Sequence, residues 1–246
     1  MVLLAASSCS VKENRVECPC RLNIVMDGVS RKPVSVEAWA DEKLFSETFS
    51  GRKISSTHVV SRGTVDVTAI CGLDSCRMEG TVLHIPYGKQ MDAAFTYHNS
   101  LSTDCESVTD TVVLFKSYAN IHVHFKNAAE GGSGFSLSCV SSTDAYDILS
   151  GLPLEGAFRY VPYSEDGIDY QVRVPRQGDD SLRLVLESLS GDSDPVVFKL
   201  GEYLSSGAFD WTARELNDIY VEIDCVSIGM NVYVEDWNSN YYEEVI

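Results

Sequence analysis

Cysteine offers the most chemistry in this sequence, and its spacing is uneven. Eight cysteines stand at positions 9, 18, 20, 71, 76, 105, 139 and 225. Cys9 follows the short apolar run MVLLAASS, whose last residues, Ser7 and Ser8, are small. An apolar stretch closing on small residues is what a signal peptidase accepts, and a cysteine directly after it suits a lipoprotein leader. Residues 1–8 therefore read as the remnant of a lipoprotein signal peptide and Cys9 as its lipidation site. With Cys9 lipidated, seven of the eight cysteines remain, so at least one stays a thiol or pairs between chains. Cys18-Pro19-Cys20 is C-x-C, not the C-x-x-C of thioredoxin-like motifs. Strand positions i and i+2 point the same way, so one of this pair is expected to clip the end of the N-terminal tether, residues 9–20, to the first sheet. Cys71 and Cys76 could bracket a small loop. Zinc would want two knuckles at tetrahedral spacing, and the sequence has no such pair.

Other reactive types are weaker candidates. His122 and His124 lie two apart on one strand face, a spacing that metals use, with no third ligand obviously placed beside them. Glu165-Asp166 and Asp179-Asp180 could serve as general acid and base in glycoside hydrolysis. Both stand beside glycines, Gly167 and Gly178, and read as solvated turn residues. GGSG and SSGAFDW lack the strand-to-helix context of a phosphate loop or nucleophile elbow. No catalytic set assembles, so the chain is read as a non-enzyme with no cofactor, no metal and no small-molecule substrate.

The elements that must carry these residues announce themselves by period-two alternation. RLNIVMDG places Leu22, Ile24 and Met26 on one face; GTVDVTAIC does so with Val65, Val67 and Ala69; NIHVHF with Ile121, Val123 and Phe125. DIYVEIDC sets Ile219, Val221, Ile223 and Cys225 against Tyr220, Glu222 and Asp224, and GMNVYVEDW repeats the pattern after a three-residue break. Half-buried strands joined by polar turns make antiparallel β-sandwiches. AAEGGSGF reads as a hairpin tip from its glycines. Thr212-Ala-Arg-Glu215 fits a capping box, predicting one short helix between strands.

The 246 residues suffice for two domains of ordinary size, and 44% hydrophobic with 22% charged residues marks a folded protein. A net charge of −17, with no basic cluster, argues against nucleic acid and against electrostatic adhesion to anionic lipid. No run approaches the roughly 18–20 apolar residues of a membrane-spanning helix. A boundary is expected near residue 116, where TDTVVLF ends and KSYANIHVHF echoes the first strand. The division is then a lipidated tether at 9–20, an N-terminal sandwich at 21–116 and a C-terminal sandwich at 117–246.

Several strings carry a specific resemblance. CSVKENR followed by CPC, then VRVPRQGDDSLRLVLE, FKLGEYL, FDWTARELNDIYVEID and VYVEDW resemble the FimB-like fimbrial anchor lipoproteins of Bacteroides-type bacteria. The resemblance implies two transthyretin-like β-sandwiches, an acylated Cys9 in the outer membrane, and a place at the base of a type V pilus. It implies a stalk subunit as partner, joined by β-strand addition. Stalk subunits of the family donate a C-terminal segment. Here NSNYYEEVI, after Trp237, would span roughly 30 Å at about 3.3 Å per residue, so the chain is expected to receive a strand more readily than give one. The competing expectation is a surface β-sandwich that binds glycans through aromatic clusters. These are Tyr97, Phe158, Tyr160, Tyr163, Trp237, Tyr241 and Tyr242.

Overall fold

The computed structural model describes residues 18–129, 132–207 and 209–235. Along them run β1 (Cys20–Trp39), β2 (Lys43–Val60), β3 (Thr64–Cys71), β4 (Arg77–Glu79), β5 (Val82–His84), β6 (Phe95–Ser102), β7 (Ser107–Thr111) and β8 (Phe115–Lys116). Then follow β9 (Tyr118–Lys126), β10 (Phe135–Asp147), β11 (Leu152–Tyr160), β12 (Asp169–Pro175), β13 (Arg183–Ser188), β14 (Val196–Phe198), the helix α1 (Leu200–Ser206), β15 (Asp218–Asp224) and β16 (Gly229–Glu235). The architecture is all-β, as the alternation foretold, with a single short helix among the described residues.

One sheet, β2-β1-β3-β6-β8 with β7 also paired to β1, builds the first sandwich. It can do so because β1 and β2 bend: their register shifts between Asp27 and Val34, the local kink that bulges introduce. The first half of β1 pairs in parallel with β7 and the second half antiparallel with β3. Leu22, Ile24 and Met26 from one half, and Val34, Val36 and Ala38 from the other, thereby line one core with Val65, Val67 and Ala69.

Two sheets close the second sandwich. In one the order is β14-β13-β10-β5-β4 with β11 on β10; in the other it is β12-β9-β15-β16. Ile121, Val123, Phe125, Leu137, Leu184, Ile219, Val221 and Ile223 are all at most 2% exposed in this core. Each such side chain contributes about 1.5–3 kcal/mol by leaving water.

Sheet pairing changes after residue 116, since β8 pairs with β6 whereas β9 pairs with β12 and β15. Residues 72–94 do not follow that division. Their strand β5 pairs onto β10 and β4 pairs with β5, and Leu83, Ile85 and Met91 enter the second core. The chain thus leaves the first sandwich after β3, supplies two strands to the second, and returns as β6. Gly72 makes the exit: its φ is +87°, and a Cβ there would meet the Ala93 carbonyl oxygen. Asp92 fixes the loop that follows. Its carboxylate accepts the backbone N–H groups of Asp74 (2.7 Å), Ser75 (2.9 Å) and Cys76 (2.7 Å), and the Ser75 hydroxyl at 2.9 Å.

The helix expected at Thr212 does not form. Asp210 accepts both the Thr212 hydroxyl (2.6 Å) and the Thr212 N–H (2.8 Å), so that hydroxyl is not available to cap a helix. The buried Arg176 guanidinium donates to the carbonyls of Trp211, Ala213 and Arg214, oxygens that a helix would need for its own ladder. The helix lies earlier, at Leu200–Ser206, where Leu200 and Leu204 share one buried face.

Replacing Gly72 by alanine combines a left-handed backbone with a backbone clash. It should cost at least about 2 kcal/mol in denaturant unfolding, whereas alanine at Gly80, which also has positive φ but open space around it, should cost less.

Candidate functional site

The sheet β12-β9-β15-β16 buries one face and presents the other to solvent. Alternation sends Val172, Ile121 and Ile219 inward from neighbouring strands. The outward positions form cross-strand rows. Gln171, His122, Tyr220 and Tyr233 make one row, and Asp169, His124, Glu222 and Asn231 the next. The connection after β11 brings Tyr163, Ser164 and Glu165 over this surface, with Tyr160 from the end of β11. Together they enclose a cleft of about 820 Å³.

Within the cleft, the His122 and Tyr220 rings stack at 4.7 Å with planes 9° apart. His124 Nδ1 lies 2.8 Å from Asp169 Oδ1. Tyr163 is 83% exposed and Tyr233 58% exposed, so both rings offer faces to a ligand. The histidine pair that spacing placed on one face does share it, but its neighbours are a phenol ring and one carboxylate. Among the described residues no group of three or more histidines, cysteines or acids is placed to hold a metal ion.

The acidic pairs sit in turns. Asp166 accepts the Ser164 hydroxyl and the N–H groups of Ile168 and Asp169. Those amides, Asp169 and Ile168 foremost, bring its carboxyl down to about 2. Asp179 likewise accepts the hydroxyl of Ser142 and the N–H of Ser181. Tyr160, Tyr163, His122 and His124 were singled out separately in the sequence, and the structure brings them together. Tyr97 and Phe158 are buried instead. Tyr220 and Tyr233 were the residues missed. Their signal was the outward phase of DIYVEID and GMNVYVE, which assigns a tyrosine to the solvent face of each strand.

The sheet's rim is a second feature. Among the described residues β16 pairs only with β15. Its inward side chains are less well covered than those of the inner strands: Met230 and Val234 are half-buried and Val232 is 9% exposed, against 0% for Ile121 and Ile219. An unpaired edge with apolar side chains beneath it is a template for another strand. Cys9, the tether before Cys18, and Trp237 with the tail Asn238–Ile246 lie outside the described residues.

Behind the cleft, Lys116 joins the two sandwiches. Its ammonium, 3% exposed, donates at 2.6 Å to Asp218 at the start of β15. Asn120 adds its backbone N–H at 3.1 Å and its side-chain amide at 3.2 and 3.1 Å to the two carboxylate oxygens. Burial works against the charged Asp218. His122 (3.9 Å away, past hydrogen-bond reach) and then Lys116 and Asn120, which do make hydrogen bonds, more than offset it and hold the carboxyl well below the ordinary range.

No protein-family model matches the sequence, and neither does any curated protein. Solved structures do share the fold. The fimbrial anchor protein Mfa2 from Porphyromonas gingivalis aligns with TM-score 0.64 at 9% identity, covering 89% of this chain and 98% of that one. A DUF1812 protein from Bacteroides thetaiotaomicron VPI-5482, named provisionally for polysaccharide binding, gives 0.64 at 14% identity, covering 90% and 100%. The tip fimbrial protein Mfa3 from Porphyromonas gingivalis, with its C-terminus truncated, gives 0.51 at 10%, covering 89% and 99%. The chain therefore shares an all-β sandwich fold with these proteins, over nearly their whole length.

Replacing Lys116 by methionine leaves the Asp218 charge without its cation and should cost about 3 kcal/mol. Because the folded pKa of Asp218 is depressed, its contribution is fully present above the unfolded value of about 4 and is lost as pH falls below it. Unfolding followed against pH should therefore show a shallower acid decline in Lys116→Met than in the parent.

Proposed function

We propose that this chain is a cell-surface subunit of a pilus of the type V kind, acting as its membrane anchor. In this reading the leader is removed before Cys9 and lipid on that sulfur enters the outer membrane. At about 0.8 kcal/mol per buried methylene, one acyl chain holds marginally and two or three hold firmly. Residues 10–17, polar and without periodicity, lift the first sandwich off the bilayer.

The stalk joins by strand addition, and the edge of β16, unpaired among the described residues, is the observation that carries this reading. A segment of the neighbouring subunit laid along β16 would pair its unmatched N–H and C=O groups and cover Met230, Val232 and Val234. Alternate side chains of the arriving strand would select the partner. The likeness to a fimbrial anchor and a fimbrial tip protein supports the same role.

The cleft supports a second activity on the same surface, the binding of glycans. Exposed tyrosine faces suit the apolar faces of sugar rings. Asp169, Glu222 and Gln171 supply acceptors and donors for vicinal hydroxyls, the few placed polar groups that fix orientation in such sites. The provisional name of the Bacteroides thetaiotaomicron neighbour points the same way.

A photoactivatable side chain in place of Asn231, exposed on β16, should capture a stalk subunit in assembled pili, and deletion of the gene should release or lengthen them. Capture only from the β2 edge, for example at Val59, together with unchanged pili, would sink the anchoring reading. On a glycan array, Tyr160→Ala and Tyr163→Ala should each weaken binding about tenfold with pilus length unchanged. Binding indifferent to both substitutions would remove the cleft from the account.

A further inference from the structure

We infer that Cys20 and Cys105 form a disulfide in the exported protein, stapling the start of β1 to the strand beside it. The two sulfurs lie 4.0 Å apart across 85 residues of sequence. Cys20 opens β1 and is fully buried, whereas Cys105 sits in the exposed turn that leads into β7. These strands run in parallel register from Arg21 and Ser107 onward, and the Arg21 N–H donates to the Glu106 carbonyl at 3.0 Å.

The backbone around the pair is held independently of the sulfurs. Arg62 donates from Nε to the Cys18 carbonyl (2.8 Å) and from Nη1 to the Asp104 carbonyl (2.9 Å), clamping both segments at once. The Thr103 hydroxyl reaches the Ser61 carbonyl at 2.8 Å, and the Thr103 N–H reaches the Gly63 carbonyl at 2.8 Å. A frame this constrained pre-positions the thiols. Closing from 4.0 Å to the roughly 2 Å of an S–S bond asks for a side-chain rotation at Cys105, which gives up its 3.4 Å contact with the Ser107 carbonyl.

The chemistry balances by exchange with a thiol–disulfide oxidoreductase of the exporting compartment. The Cys105 thiolate attacks the oxidoreductase disulfide, forming a mixed disulfide and releasing one of its sulfurs as thiolate. The Cys20 sulfur, losing its proton, then displaces the second. Two thiols of this chain become one disulfide, and the oxidoreductase disulfide becomes a dithiol. Burial raises the Cys20 pKa, which makes exposed Cys105 the attacking group and Cys20 the resolving one.

The staple has a mechanical use. A pull on the tether enters at residue 18 and would otherwise peel β1 from β7 and β2 one backbone pair at a time. A covalent bond at Cys20 passes the load directly to Cys105. This use rests on the anchoring role proposed above, but bond formation itself depends only on geometry and an oxidant.

The test uses the full chain recovered from the cell envelope, alkylated before unfolding and mapped without reduction. Trypsin leaves Cys18 and Cys20 together on residues 16–21, so the assignment is made in Cys18→Ser. The expected result is a peptide joining residues 16–21 to the peptide containing Cys105, lighter by two hydrogen atoms and lost on reduction. It should persist in Cys18→Ser and vanish in Cys105→Ser. In parallel, purified folded chain exposed to oxidised glutathione should form the same link wherever the cell places the protein. Two alkylated thiols at Cys20 and Cys105 after that treatment, or loss of the link in Cys18→Ser, would overturn the inference without touching the anchoring role. Failure of tethered pili with the link intact would do the reverse.

Discussion

Half-buried strands impose two demands at once: an apolar face must be covered and a backbone edge must be paired. The arrangement of this chain follows from meeting the first demand twice over. One bent sheet folds onto itself, and two further sheets close on each other. Alternation makes both possible, since Leu22, Ile24 and Met26, or Ile121, Val123 and Phe125, commit a whole strand face to the interior. The second demand is met less completely. Inner strands such as β9 and β15 pair on both sides, while β16, at the end of a four-stranded sheet, has one neighbour among the described residues.

The two sandwiches are also bound to each other by more than the chain passing between them. Residues 72–94 lend β4 and β5 to the second sandwich, and the Arg173 guanidinium grips the Met91 carbonyl at 2.9 Å. Lys116, still in the first sheet, reaches Asp218 in the third. A breach at any of these junctions exposes either a buried charge or a three-residue strand with no other support. Such coupling suits the anchoring role proposed above.

Much of this was legible in the sequence because it is local. Period-two runs named the strands β1, β3, β9, β15 and β16 and assigned their inward faces correctly. What was illegible depends on distant partners. RME and VLH are too short to show a period, and the place of VLH on β10, with RME beyond it, is decided by residues some sixty positions later. Thr212 carries a sound capping signal locally, but Asp210 and the buried Arg176 outcompete the helix for its hydroxyl and carbonyls. The helix at Leu200–Ser206 rests on two leucines in a polar stretch, below the length at which helical period is readable. The cleft divides the same way. That His122 and His124 share a face follows from strand geometry, whereas the arrival of Tyr160 and Tyr163 over them depends on the path of the β11–β12 connection.

In the proposed role this acidic pair of sandwiches is fixed at its start, and a neighbouring subunit completes the sheet at its rim. Hydrogen exchange resolves that claim strand by strand, because an amide gains protection when its edge acquires a partner. The chain alone should exchange rapidly along the outward edge of β16 and slowly along β9 and β15. In assembled pili the account predicts a large gain of protection concentrated on residues 229–235. Unchanged exchange there, with new protection along β2 or none at all, would contradict it.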